Sequence, residues 1–201
     1  MGLVPGQFPQ ELDEEIARLV AQRSGELGAE EDAVRRASRD MLRHGRYKPT
    51  GRGKPASEYL MRAAREGSFP RISAPVDICN LISLHYLVPA SVWDLDLSGT
   101  AFLGRRGREG ESYVFNAGGQ EIGLQDLLVV CRADSDQPMV NPVKDSHATK
   151  TTVDSTRVGA VVYMPRAANL DTEYVLSRFV ALLAGCGDAV EAGYLLVEGR
   201  P

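Results

Sequence analysis

The sequence has no long hydrophobic run: nothing in it approaches the about 18 consecutive apolar residues of a membrane-spanning helix. It contains only three cysteines, Cys79, Cys131 and Cys186, and they show no CxxC spacing. An odd number without such spacing favours reduced thiols over a disulfide framework or a zinc site. The opening stretch has neither the basic nor the apolar region of a secretory signal. We therefore expect a cytoplasmic protein that does not enter a membrane.

Familiar catalytic signatures are also missing from the sequence. It contains no GxSxG, HExxH or GxxxxGK[ST] motif. The glycine-rich run at 104–110 joins two predicted strands rather than opening a helix, which argues against a nucleotide-binding loop. His44, His85 and His147 share no spacing that would place them on one face. We therefore predict neither a metal site nor a cofactor.

Charge is unevenly distributed along a chain whose net charge is −4, a value that argues against general nucleic-acid binding. Eight acids and two bases occupy residues 11–32, whereas eight bases and one acid occupy residues 35–54. The basic run is compatible with a solvated face and also with a local patch that contacts phosphate. The candidate RNA-binding residues are Arg39, Arg43, Arg46, Lys48, Arg105 and Arg106.

Helical spacing dominates the first part of the chain. Apolar residues recur every three or four positions through residues 9–45, and Gly25 and Gly28 predict a break between two helices. Residues 1–45 are therefore interpreted as a helical N-terminal extension, followed by a second domain at 46–201.

Two further helices are expected before the β-rich part. Ser57 is a candidate N-cap for a short helix that ends at Gly67. A second helix is predicted at about 76–86, after Pro75, and Pro89 stops it.

From Leu97 onward, short segments rich in Val, Leu and aromatic residues alternate with glycine-containing turns, which predicts strands. Residues 117–119 are a plausible hairpin turn, the segment DTEYVLSRFVALLAG predicts a last helix, and GYLLVEG at 193–199 predicts a final strand. The fold class is therefore α+β, a mostly antiparallel, barrel- or sandwich-like β core flanked by helices.

The most polar stretch of the chain is KDSHATKTT at 144–152. It can be a hydroxyl-rich surface turn, or a loop that lines a pocket where hydroxyls and a cation hold an ester or an amino group.

Several motifs occur in an order that points to a known family. They are VDICN, then Pro89, then VWDLD, GREGES and LQDLLVVCRAD, preceded by the helix PASEYL. This order resembles the B3/B4 domain of the phenylalanyl-tRNA synthetase β-subunit, and most closely its freestanding single-domain members. The resemblance covers roughly residues 46–165.

The resemblance implies an editing site that hydrolyses tRNA carrying the wrong amino acid, with a pocket between the VWDLD loop and residues 144–152. Asn80, Asp94 and Glu111 match the family's asparagine, aspartate and Gly-Glu turn. Ser91 takes the place of the family's histidine, and residues 146–150 lack its glutamate. Recognition of a phenolic hydroxyl is therefore not expected. Asn80 and Asp94 are equally compatible with structural roles at a helix end and a turn.

The first hypothesis is a trans-editing deacylase of mischarged tRNA that needs no classical nucleophile, because positioning and oxyanion stabilisation can act on an already reactive ester. The candidate catalytic residues are Asp145, His147, Thr149 and Lys150. The candidate substrate-binding residues are Asn80, Ser91, Trp93, Asp94, Glu111, Lys144, Ser146 and Thr151.

Two alternatives remain open. One is a non-catalytic module that binds tRNA or another RNA through the basic run at 35–54. The other is a binder or hydrolase of free amino-acid derivatives that uses no RNA. Salt dependence separates them, because binding to phosphates weakens steeply with added salt.

Overall fold

The computed structural model of the protein describes residues 2–3, 10–185, 187–188 and 192–199. The described α-helices are α1 (Gln10–Arg23), α2 (Ala29–Asp40), α3 (Ala56–Arg65), α4 (Ala74–Tyr86), α5 (Leu95–Ser98) and α6 (Thr172–Gly185). The described strands are β1 (Gly2–Leu3), β2 (Ala90–Asp94), β3 (Phe102–Arg106), β4 (Ser112–Val114), β5 (Glu121–Gly123), β6 (Leu128–Arg132), β7 (Pro138–Val140), β8 (Val158–Val162) and β9 (Gly187–Asp188). Short 3-10 helices lie at Gly51–Gly53, His147–Thr149 and Arg166–Ala168.

The strands form small antiparallel sheets. β2 pairs with β8, β6 lies between β3 and β7, β4 pairs with β5, and β1 pairs with β9. This arrangement confirms the predicted α+β class with mostly antiparallel pairing. Residues 117–119 form the predicted turn, since β4 and β5 are the strands on either side of it.

The larger hydrophobic core lies between the helices and the β2–β8 pair. Helix α4 is apolar on several faces, and its Ile78, Leu81 and Ile82 are fully buried. Helix α1 adds Leu12 and Ile16 to the same cluster, to which α6 also contributes. Burial of each such side chain contributes about 1.5–3 kcal/mol, so the packing of α4 holds the β2 strand in position.

A second core lies under the β3–β6–β7 sheet. Alternate residues of β6 are buried, as the period of two in a half-covered strand requires. Val129 and Cys131 on that face pack with Leu42, Leu124 and Leu127. The segment after α2 is thereby attached to the β-rich half of the protein.

The predicted helices are confirmed, with one correction at a helix start. Helices α1 and α2 are separated at Gly25 and Gly28, and Asp171 caps α6 through a 3.0 Å bond from the Tyr174 amide. Ser57, however, is not an N-cap. It lies inside α3 with a buried side chain, because Pro55 already fixes the extended backbone from which the helix starts.

Two predictions about the β-structure are wrong. The VWDLD segment was predicted as a loop, but most of it belongs to β2, where Trp93 pairs with Gly159. Because β2 is buried on both faces, it lacks the alternation by which strands are recognised. The segment GYLLVEG forms no strand within the described residues, and its Leu195 and Val197 are 75% and 79% exposed.

None of the described helices has both the length and the apolar content needed to cross a bilayer.

Candidate functional site

Asp145 lies in a tight turn that follows β7 and folds back against β2. The turn is fixed by Asn141, whose Oδ1 accepts hydrogen bonds from the amides of Val143 (2.8 Å) and Lys144 (2.9 Å). Ser91 Oγ donates to Asp145 Oδ1 at 2.8 Å, and the Asn141 amide donates to the same oxygen at 3.2 Å. Both bonds end on Oδ1, so Oδ2 receives none from the described residues.

The surroundings of Asp145 change its acidity. The residue is half-buried, and burial raises the pKa of its carboxyl to about 7, against the hydrogen bonds from Ser91 and Asn141 and the charge of Lys150, which lower it. A carboxyl with this pKa exchanges a proton near neutral pH. It therefore has the property that a general base needs at physiological pH.

Two buried side chains lie beneath this carboxyl. The Tyr163 hydroxyl lies 3.5 Å from Ser91 Oγ, and the Cys79 thiol is buried in α4. Burial raises the pKa of both groups well above the ordinary range, and the charge of Asp145 adds to the effect. Both groups therefore stay neutral, and neither supplies an anionic nucleophile.

Tyr113 joins the Asp145 turn to strand β4. Its hydroxyl donates to the Lys144 carbonyl at 2.7 Å and accepts a hydrogen bond from Asn141 Nδ2. Burial raises the pKa of Tyr113 well above its usual range, so the phenol stays protonated and can keep donating. The turn is thus held from both sides, by β2 and by β4.

Asp94 lies at the other end of β2 and caps a short helix. Its Oδ1 accepts from the amides of Asp96 (2.7 Å) and Leu97 (3.3 Å), and Ser155 Oγ donates to Oδ2. Asp94 is 6% exposed. These contacts engage both carboxylate oxygens, and through them Asp94 caps α5 and binds the Ser155 side chain.

Two buried polar atoms near the turn receive no hydrogen bond within the described ranges: Thr149 Oγ1 and Trp93 Nε1. Thr149 ends the short helix His147–Thr149, which Ser146 caps through a 3.3 Å bond to the Ala148 amide. Leaving a hydroxyl buried and unbonded costs about 1–3 kcal/mol. A hydrogen bond from a bound ligand to the Thr149 hydroxyl would offset this cost.

Lys144 and Lys150 meet at Phe115. Lys150 Nζ donates to the Phe115 carbonyl at 2.7 Å, and Lys144 Nζ lies 3.8 Å from the centre of the Phe115 ring. His147 and Lys150 are exposed, and Thr151 is half-buried. Of the four predicted catalytic residues, Thr149 is thus buried, Asp145 is half-buried, and the other two lie at the surface.

The remaining predicted substrate-binding residues lie further from this turn or are already bonded. Asn80 lies inside α4, not at its end, and is half-buried. Glu111 accepts two bonds from Arg105, at 2.7 and 2.8 Å, and one from the Arg108 amide. Glu111 therefore holds the turn after β3.

The predicted RNA-binding residues are mostly engaged in ion pairs. Arg39 pairs with Glu58, whose side chain is 6% exposed, and Arg43 pairs with Asp40. Arg46 approaches Glu109 only at 3.9 Å, and Lys48 makes none of the ion pairs of the described residues.

Arg105 and Arg106 lie in strand β3 rather than in an exposed turn, which corrects their predicted placement. The Arg105 side chain is 15% exposed, and it pairs with Glu111 and Asp136. Arg106 is half-buried, which lowers its pKa, and its Nη1 lies 3.4 Å from the Asp126 carbonyl.

Several residues of this site had not been identified from the sequence: Cys79, Tyr113, Asn141, Ser155 and Tyr163. Only Asn141 carried a signal, because Asn-Pro is a common start of a turn. The others become recognisable only when the strands are paired.

Within the part of the chain that the structure describes, no group of three or more His, Cys, Asp or Glu residues is placed to hold a metal ion.

The α+β fold with its mostly antiparallel strands is that of a phenylalanyl-tRNA synthetase B3/B4-like domain. The family profile described as B3/4 domain matches residues 48–175, more than half of the sequence. The chain belongs to the B3/4 domain family, as its motif order had indicated. A comparison with curated proteins found no match.

Proposed function

We propose that the protein hydrolyses the ester bond of aminoacyl-tRNA that carries the wrong amino acid. The observation that carries this proposal is the Asp145 carboxyl. It has a pKa of about 7, an oxygen that receives no bond from described residues, and a turn that holds it from two sides.

In the proposed reaction, ionised Asp145 accepts a proton from a water molecule as that water attacks the ester carbonyl. The carbon–oxygen bond to the terminal ribose then breaks, and the ribose oxygen takes up a proton. The products are a free amino acid and a tRNA with its ribose hydroxyl restored. The base has the acidity that efficient proton transfer at neutral pH requires.

The oxyanion that forms on the carbonyl needs a stabilising group. Lys150 is close enough to Asp145 for its charge to lower the pKa of that carboxyl, and it is the nearest candidate cation. The buried hydroxyl of Thr149, which receives no bond from described residues, is available to contact the substrate.

Ser91 has a positioning role in this proposal. It stands where the family has a histidine, and it orients Asp145 through the 2.8 Å bond. A serine at this place supplies no cation. The proposed substrate is accordingly an amino acid without a phenolic hydroxyl.

The alternative of a non-catalytic RNA-binding module has less support. Its main cations, Arg39 and Arg43, are neutralised by Glu58 and Asp40.

The test is a deacylation screen of the purified protein against correctly and incorrectly charged tRNAs, with Asp145→Asn beside the wild type. Rapid hydrolysis of one mischarged species, lost by at least about 100-fold in Asp145→Asn, is the expected result. Hydrolysis of no species, or equal hydrolysis by Asp145→Asn, would refute the proposal.

A further inference from the structure

A cleft of about 480 Å³ opens between residues 47–53 and the β4–β5 hairpin. Its charged and aromatic lining residues are Tyr47, Arg52, Phe115, Glu121 and Lys144. The motifs of the family resemblance do not include this cleft, and the proposed hydrolysis does not use it.

Both cations of the cleft, Arg52 and Lys144, line the same opening. Burial lowers the pKa of Lys144, and the nearby charge of Arg52 lowers it further. Neither Arg52 nor Lys144 takes part in any ion pair made by the described residues, unlike Arg39 and Arg43. Two like charges that line one cleft, each without an ion pair among the described residues, favour the binding of an anion.

The lining also contains one acid, Glu121, which forms no ion pair with either cation among the described residues. Glu121 is exposed and accepts a hydrogen bond from Ser112 Oγ at 3.0 Å. Lys144 instead lies against the Phe115 ring, whose face holds the ammonium through a cation–π contact at 3.8 Å. This contact keeps Lys144 in the cleft beside Arg52.

The cleft adjoins the turn that carries Asp145, because Lys144 belongs to both. Lys144 precedes Asp145 in the chain, and its carbonyl accepts the Tyr113 bond that fixes the turn. Lys150 connects the same two places, because it bonds the Phe115 carbonyl and lies near the Asp145 carboxyl. A chain of phosphates laid along Arg52 and Lys144 would therefore reach the turn that carries the proposed catalytic group.

We infer that this cleft binds backbone phosphates of single-stranded RNA through Arg52 and Lys144 and so delivers the 3′ end of a tRNA to Asp145. This inference rests on the proposed function for its biological meaning, but the binding itself requires no hydrolysis. The RNA contact is thereby assigned to Arg52, in the loop after α2, and not to the arginines of α2.

The experiment measures fluorescence anisotropy of a labelled 12-nucleotide single-stranded RNA that ends in CCA, titrated with wild type, Arg52→Ala and Lys144→Met. Each variant should bind at least about fivefold more weakly, with the slope of log affinity against log salt reduced by about 0.7 for the lost phosphate contact. The control is Arg18→Ala, which removes an equal charge from an exposed position on α1, and it should bind like wild type.

Unchanged affinity in both cleft variants, or no RNA binding by the wild type, would overturn the inference. Displacement of the RNA by inorganic tripolyphosphate at concentrations below the RNA dissociation constant would also overturn it, since the cleft would then be a site for free phosphates. Binding that depends on Arg52 in a protein without deacylase activity would refute the proposed function and leave this inference standing.

Discussion

Ser91 Oγ donates a 2.8 Å hydrogen bond to Asp145 Oδ1, across 54 positions of sequence. This bond joins strand β2, which packs on the helical core, to the turn that carries Asp145. Among the described carboxyl groups, Asp145 is the only one whose pKa is raised to about 7. The Ser91 bond positions the proposed base and lowers its pKa, against the larger rise that burial causes. The first two predictions test these two effects.

Asp145→Asn should stabilise the protein at pH 8 but not at pH 4. Because the pKa is raised from its ordinary value near 4 to about 7, the folded chain holds a proton that the unfolded chain has lost between those values. Stability therefore falls as the pH rises through this window and stays low above it. Asparagine keeps the Oδ1 acceptor without the charge, so we expect a gain of about 2–4 kcal/mol at pH 8.

Urea unfolding at pH 4 and pH 8 measures this difference. Asp154→Asn is the matched control, since Asp154 is exposed in the turn that follows, and it should give no pH-dependent gain. An equal effect of Asp145→Asn at both pH values would show that the carboxyl does not titrate in this window.

Ser91→Ala should move the pH dependence of deacylation upward. The Ser91 bond favours the ionised carboxyl, so its loss raises the pKa of Asp145 beyond about 7. Activity in the wild type should rise with pH to a midpoint near 7, and the variant's midpoint should lie higher. The profile of kcat/KM between pH 5 and 9 measures both.

Ser83→Ala is the control for Ser91→Ala, because it also removes a buried hydroxyl, one that donates to the Val88 carbonyl at 2.7 Å. It should lower stability but leave the midpoint unchanged. Equal midpoints in wild type and Ser91→Ala would mean that Ser91 does not tune the carboxyl.

The helices, the β4–β5 hairpin and the fold class followed from local periodicity and turn residues. Strand β2 did not, because it is buried on both faces and its apolar run resembles the end of a helix. The importance of Asp145 could be suspected from the polar stretch around it. The contact between Asp145 and Ser91 could not be predicted from the sequence, because it depends on how β7 and β2 are brought together in space.

Charge was the least reliable signal. The run of bases at 35–54 suggested a phosphate-binding face, but most of the arginines on α2 pair with acids one helical turn away or on α3. Whether an arginine forms an ion pair depends on its neighbours in space, and a count of charges along the sequence does not show these neighbours. The described acids leave Arg52, near the end of that run, without an ion pair.

Arg39→Ala should therefore lower stability and have little effect on RNA affinity. Its loss leaves the buried Glu58 carboxylate with only a 3.5 Å contact to Arg35. We expect a cost of about 1–3 kcal/mol, because an uncompensated carboxylate remains in the interior. Arg43→Ala, at a half-exposed pair, should cost less than about 0.5 kcal/mol. Urea unfolding and RNA titration of both variants test this, and a large loss of RNA affinity in Arg39→Ala would restore α2 as the binding face.

Thr149→Val should stabilise the protein and slow deacylation. Valine has nearly the same shape but lacks the hydroxyl that is buried without a hydrogen bond from described residues. Removing it should raise the free energy of unfolding by about 1 kcal/mol. If that hydroxyl contacts the substrate, kcat/KM falls, and Thr149→Ser, which keeps the hydroxyl, retains most of the activity. A stabilised Thr149→Val with full activity would exclude the substrate contact.

Gly159→Ala tests whether the β2–β8 pair holds the site in position. A Cβ at Gly159 would lie 2.7 Å from Trp93 Cε2, and Trp93 is only 3% exposed. The ring must therefore shift within a packed core, at a cost of about 1–3 kcal/mol. Trp93 is the single tryptophan of the sequence, so its fluorescence reports the shift directly. Gly104→Ala in β3, where a Cβ meets nothing within 4 Å, should leave both stability and emission nearly unchanged.

Because Trp93 lies two residues from Ser91 on the same strand, a shifted emission together with reduced deacylation would show that the strand transmits the disturbance to Asp145. A shifted emission with full deacylation would show that Asp145 is held mainly by Asn141 and Tyr113, from the other side of the turn.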